Sequence, residues 1–142
     1  MHRDTLSCIA SVEKLEEVIS FIEDCADHSK LDMKRKMGLL IAAEEAFVNV
    51  CSYAYPDGLG EVLVSCAFSN TEFEVEVADF GREFDVLSIP EPDTESDIMD
   101  RQIGGLGVHF IRKLSDEASY RREHGQNILK MKINLAFNSD II

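Results

Sequence analysis

The pattern of apolar residues predicts an α/β two-layer sandwich, with a mostly antiparallel sheet and helices on one face. Three observations predict it. Two stretches, Leu15 to Ala26 and Met33 to Tyr53, carry apolar residues at helical spacing. Four shorter stretches, grouped in two pairs, read as hairpin strands. The resulting order is β-α-α-β-β-loop-α-β-β, with no internal repeat and no linker. Residues 1–142 therefore read as a single domain, long enough to bury a real core.

Leu6, Cys8 and Ala10 alternate with Thr5, Ser7 and Ile9, which predicts a first strand over 4–10. Ser11 follows as an N-cap, with Glu13 favoured in the first turn by the helix dipole. Leu15, Val18, Ile19, Ile22 and Ala26 define a helix ending near His28, whose place is explained by that dipole. Asp32 caps a second helix. Met33, Met37, Leu40, Phe47 and Val48 are its expected apolar face, with the methionines as core filler. Pro56-Asp57-Gly58 ends it.

Strands are expected at Glu61–Phe68 and Phe73–Asp79. The second alternates, with Phe73, Val75 and Val77 inward and Glu74 and Glu76 in water. That period puts Asp79, an acid, at the last inward position. An irregular stretch from Gly81 to Ile103 follows, strongly acidic between Pro90 and Asp100. A short helix then opens at Gly104-Gly105-Leu106-Gly107, and Ala118–Arg122 and Ile128–Leu135 make a last hairpin.

Composition excludes some functions. The hydrophobic fraction is 45% and the net charge −13, which describes a globular chain poorly suited to phosphate backbones or anionic membranes. Cys8, Cys25, Cys51 and Cys66 lack zinc or redox spacing and read as buried free thiols. No run spans a bilayer and no signal peptide opens the chain, so the cytoplasm is expected. His2-Arg3-Asp4 and Asp79-Phe80-Gly81 match two kinase tripeptides, but the first lies too near the N-terminus to follow a nucleotide lobe. No Walker A sequence is present.

Three stretches carry chemistry together. Glu45 and Asn49 share one helix face a turn apart. Asn49 can ligate Mg²⁺ beside phosphate oxygens, and Glu45 can take a proton from a hydroxyl. Asp79, before Phe80-Gly81, can accept a hydrogen bond from a purine amine. A glycine turn opening a helix offers N–H groups to an anion, with Gly105 and Gly107 admitting close approach.

In that order the chain resembles the ATPase-type domains of bacterial anti-sigma factor serine kinases, within the group shared by histidine kinases, gyrase, Hsp90 and MutL. Glu45-Ala46-Phe47-Val48-Asn49 resembles the family's E-A-x-x-N motif, and Asp79 to Asp85 its D-x-G-x-x-F-D motif. Ile103 to Asp116 is similar to its G-G-L-G stretch, and Gly125-Gln126-Asn127-Ile128-Leu129 to its closing G-x-N-x-L. The resemblance implies a Bergerat-type sandwich binding ATP and Mg²⁺ beneath a lid. It implies that Asn49 holds the metal, Asp79 reads adenine and Gly81 lets the base approach. It assigns Arg101, Gly104, Gly105, Leu106, Gly107 and Val108 to the nucleotide. Glu45 would activate a serine of a STAS-domain anti-anti-sigma protein, with a sigma factor sequestered and a homodimer usual. The alternative is an ATP-gated binding module without phosphotransfer. Three departures stand out: Val48 replaces a frequent Thr, Tyr53 a frequent His, and Gln102 and Ile103 separate Arg101, the nearest cation, from the glycines that many relatives precede directly with a basic residue.

Overall fold

Five strands build one sheet: β1 (His2–Ile9), β2 (Glu61–Phe68), β3 (Glu72–Asp79), β4 (Glu117–Glu123) and β5 (Gln126–Asn134). Their spatial order is β1-β2-β3-β5-β4, and each of these pairings is antiparallel. Among the described residues the helices are α1 (Leu15–Asp27), α2 (Met33–Tyr53) and α3 (Gly105–Leu114). The computed structural model describes residues 2–88 and 105–135, and of residues 105–107 the backbone alone. Among the described residues the elements follow one another in the order the sequence predicts, and the acidic stretch from Pro90 to Asp100 lies outside them.

The core lies between the sheet and the helices. Val62, Val64 and Cys66 of β2, Phe73, Val75 and Val77 of β3, and Leu129, Met131 and Ile133 of β5 share the inward face. Register aligns them, with Val64 opposite Val77, and Val75 opposite Met131. Val18 and Ile22 of α1, Leu39, Ala43 and Phe47 of α2, and Val108 and Ile111 of α3 meet them. Each large aliphatic or aromatic side chain buried there stabilises the fold by about 1.5–3 kcal/mol.

The helix starts are also built as the sequence suggests. Asp32 Oδ1 accepts from Arg35 N at 2.8 Å, capping α2. Ser11 caps a short 3-10 turn, Val12–Lys14, that leads into α1. The His28 ring Nδ1 lies 2.7 Å from the Asp24 carbonyl at the end of α1.

Three expectations are corrected. Met33 and Met37 are 66% and 51% exposed, not core filler. The buried face of α2 runs instead through Leu39, Ala42, Ala43, Ala46 and Phe47. Lys36 lies against it, paired with Asp27 at 2.9 Å and Glu23 at 3.6 Å across to α1. Small alanines let the helix lie close to its neighbours, and that turns the methionines outward.

Glu74 is buried rather than wet, at 6% exposure. It sits on the open face of the sheet under Arg3 and Lys130, at 3.1 and 3.8 Å. The aliphatic stems of such neighbours cover a carboxylate while their charges pair with it. Cys25 and Cys66 are buried thiols as expected, but Cys8 and Cys51 are only half-buried. Cys8 lies on an edge strand and Cys51 in the last turns of α2. Burial still pushes the Cys51 thiol up to about 11.

The β4–β5 hairpin closes through two residues, His124 and Gly125, with φ of 53° and 76°. Two positive values fit the primed turn that matches strand twist. His124 occupies a conformation that asparagine tolerates better. His124→Asn is expected to stabilise the fold by about 0.5 kcal/mol, read as a higher urea midpoint at unchanged slope.

Candidate functional site

The C-terminal half of α2 and the end of β3 border one cavity. Spacing of three and seven along α2 brings Ala46, Asn49 and Tyr53 to it. From the sheet come Val77 and Asp79, and from the last hairpin Tyr120 and Asn127. The Tyr53 ring lies 5.8 Å from that of Phe84, another wall residue. A mostly apolar hollow with a few fixed polar groups suits a flat, partly apolar ligand.

Asp79 is 5% exposed. Its Oδ1 accepts from Gly81 N at 2.8 Å and from Asn127 Nδ2 at 2.9 Å. The register makes the second contact, because Asp79 and Asn127 face each other across β3 and β5.

The two buried asparagines of the cavity differ. Asn127 uses its whole hydrogen-bonding capacity within the protein. Its Nδ2 also donates to the Arg82 carbonyl at 2.8 Å, and its Oδ1 accepts from Phe84 N at 3.1 Å and the Tyr120 hydroxyl at 2.6 Å. Asn49 is 6% exposed, and its Nδ2 is the buried side-chain atom among the described residues that lacks any partner. An unpaired buried amide costs about 1–3 kcal/mol. Asparagine is also a poor residue for a helix interior. A ligand that completes this amide offsets both costs.

Gly81 lies where the strand end meets the end of α2. A Cβ there would stand 2.1 Å from the Ala54 carbonyl oxygen. That oxygen accepts from Arg82 N at 3.1 Å, and the Tyr53 carbonyl accepts from Arg82 Nε at 3.0 Å. Arg82 thus caps carbonyls that a helix end leaves unpaired. What the missing side chain admits in this structure is the helix terminus. Tyr55 adds a further brace, its hydroxyl accepting from Phe80 N at 2.7 Å and donating to the Glu61 carbonyl at 2.6 Å.

Glu45 is half-buried one turn before Asn49, and it is not among the residues lining the cavity. Burial, then the charge of Glu44, holds its carboxyl above the ordinary range. Gly105, Leu106 and Gly107 are the first residues of α3, so the glycine turn does open a helix. Val108 is wholly buried in the core, which leaves its backbone alone to meet a ligand. Arg101 and Gly104 lie outside the described residues.

Asn127, Tyr120 and Tyr55 are the site residues to which sequence reasoning gives no role. Asn127 does carry a signal. It shares the inward period of Leu129, Met131 and Ile133, so it is a polar residue at a core position, as Asp79 is. Tyr120 and Tyr55 carry none, since their partners lie on other elements.

Among the described residues no helix is long and apolar enough to cross a membrane, and no trio of His, Cys, Asp or Glu is placed to hold a metal. The buried orphan there, Asn49 Nδ2, is a hydrogen-bond donor that suits an acceptor on a ligand. Mg²⁺, which takes one or two protein oxygens beside the phosphates of its nucleotide, would be held by the oxygen of the same amide.

A family model described as "Histidine kinase-like ATPase domain" matches residues 8–133. The serine/threonine-protein kinase BtrW of Bordetella bronchiseptica is 24% identical over 129 residues, covering 90% of this chain and 91% of that protein. The serine-protein kinase RsbW of Bacillus thuringiensis is 27% identical over 96 residues, covering 65% of this chain and 60% of that one. A crystal structure of the RsbU and RsbW domains of Rv1364c from Mycobacterium tuberculosis superposes with a TM-score of 0.65 at 13% identity. The superposition covers 100% of this chain and 35% of that one, and shows a shared fold. Since the family match runs from the first strand into the last, the chain belongs to the histidine kinase-like ATPase domain family, and ATP binding follows from that membership.

Proposed function

We propose that this chain is an ATP-dependent protein-serine kinase that acts on a small STAS-domain partner and sequesters a sigma factor, working in the cytoplasm as a homodimer. The names of the relatives support the kinase reading. The observation that carries the site is the meeting, in one cavity, of buried Asp79 with Asn49, whose amide nitrogen has no partner among the described residues.

Asp79 would receive the exocyclic amine of adenine on Oδ2, since Oδ1 already accepts two protein donors. The α3 N-terminus would offer backbone N–H groups to the phosphates through Gly105, Leu106, Gly107 and Val108, with Gly104 and Arg101 leading into it. Asn49 would hold Mg²⁺ by its amide oxygen. Bound Mg²⁺ would supply charge compensation at the phosphates. Glu45 would accept the serine proton while the serine oxygen bonds the γ-phosphorus and the bond to ADP breaks. Its raised basicity suits that role.

One observation favours a second reading. Glu45 stands outside the cavity lining, as a structural acid would in an ATP-gated binding module. An assay with Mg·ATP and the STAS partner separates the two: ATP bound without phosphoserine would reject the kinase.

Nucleotide titrations with and without Mg²⁺ test the site. Asn49→Ala is expected to remove most of the metal dependence, lowering Mg·ATP affinity about tenfold toward the metal-free value. Asp79→Asn is expected to weaken adenine selectivity and leave the metal dependence. Equal, metal-independent affinity across all three proteins would contradict the assignment.

A further inference from the structure

A carboxylate is a promiscuous acceptor. Free to rotate, it can present either oxygen to any donor, and with a proton it can donate to a carbonyl. For Asp79 to tell adenine from guanine, something must hold one oxygen in place. The geometry points to Asn127, braced by Tyr120, as the positioning residue that confines base recognition to a single oxygen of Asp79 and so excludes guanine. This rests on the nucleotide reading above and names the determinant of its base selectivity.

An asparagine amide has nearly the same shape in either orientation, so its neighbours decide which way it points. At Asn127 they agree. The Phe84 N–H and the Tyr120 hydroxyl meet Oδ1 at 3.1 and 2.6 Å. Two acceptors, the Arg82 carbonyl and Asp79 Oδ1, meet Nδ2 at 2.8 and 2.9 Å. A flipped amide would set its oxygen against a carboxylate and a carbonyl, and its NH₂ against an N–H. The NH₂ group therefore faces Asp79. With Gly81 N it fills both lone-pair positions of Oδ1.

That leaves Oδ2 as an acceptor. Among the described residues none is shown donating to it, and the 6-amino group of adenine would. In the same pose guanine would present its 6-oxo group, an acceptor facing an acceptor. Tyr120 comes from the outer strand β4 and reaches the amide on the neighbouring strand β5. Burial raises the pKa of its hydroxyl, which keeps it a proton donor.

The test is the ratio of ATP to GTP affinity, measured by calorimetry from pH 5.5 to 8 with Mg²⁺ present, beside the melting temperature of each ligand-free variant. Wild type should prefer ATP by at least about 100-fold at every pH. Tyr120→Phe removes one donor to Asn127 Oδ1 and should cut that ratio about threefold to tenfold, chiefly by tightening GTP. Asn127→Asp places a second carboxylate beside Asp79, and the two would share a proton. Its ratio should then fall as pH falls, because a protonated pair can donate to the guanine carbonyl. A role confined to structure would lower both affinities together and give no pH dependence. Equal losses for ATP and GTP in both variants, with a pH-independent ratio in Asn127→Asp, would overturn the inference while ATP binding stands. Wild type binding neither nucleotide would overturn the nucleotide reading instead.

Discussion

Gly81→Ala is expected to destabilise the fold by about 2–4 kcal/mol and to lower ATP affinity at least about tenfold. The methyl group would stand 2.1 Å from the Ala54 oxygen, 2.6 Å from its carbonyl carbon and 2.7 Å from its Cβ. The first two are backbone atoms at the end of α2, so no rotamer change relieves the contact. Either the strand end or the helix end must move. Movement of the strand end breaks the Gly81 N to Asp79 Oδ1 bond, which helps to aim the carboxylate. Movement of the helix end separates Ala54 from Arg82 N and Tyr53 from Arg82 Nε. The Arg122 contact to the Gly81 carbonyl, 2.9 Å, strains in either case. For a chain of this length that loss lowers the melting temperature by about 10 °C. A melting curve and an ATP titration check both parts, and a variant that melts and binds as wild type would show that the α2 terminus yields easily.

Glu45→Gln carries the other large expectation. If Glu45 takes the serine proton, phosphotransfer to the STAS partner falls about 10²–10⁴-fold, with ATP affinity nearly unchanged. Glutamine keeps the shape and removes the base. The same variant has a signature in stability. Burial and Glu44 raise the Glu45 pKa in the folded state above its ordinary 4.5. The stability contributed by its protonated form is therefore complete below that ordinary value and is lost as pH rises through the folded pKa. Glutamine does not ionise and keeps it. Glu45→Gln should thus melt slightly above wild type at pH 7 to 8, with the difference closing as pH falls below about 4.5. Undiminished phosphotransfer would remove Glu45 from the chemistry and leave the binding-module reading.

Much of the site is legible in the amino-acid sequence, because two of its residues break a period. Asp79 is a carboxylate on the face of Phe73, Val75 and Val77, and its burial, at 5% exposure, bears out that placement. Asn49 is an amide in a helix that otherwise favours alanine and aliphatic residues, and it too is buried. Glu45 shows the limit of such reasoning. Spacing of four puts it one turn from Asn49, but a turn of helix also rotates a side chain, and the carboxylate falls outside the cavity lining. The face of α2 differs from expectation for a related reason. Met33 and Met37 satisfy an apolar period, yet the face richer in alanine is the one buried.

Local sequence suffices for the order of elements, the inward faces of β2, β3 and β5, the N-cap of α2 and the glycine start of α3. Each follows from side-chain period or backbone chemistry within a few residues. Long-range packing sets the rest: which way α2 turns, that Gly81 must admit the Ala54 carbonyl, and that Asn127 and Tyr120 hold Asp79. Those contacts join residues between 7 and 48 positions apart. They depend on strand register and helix rotation, which the whole core fixes and no short stretch encodes.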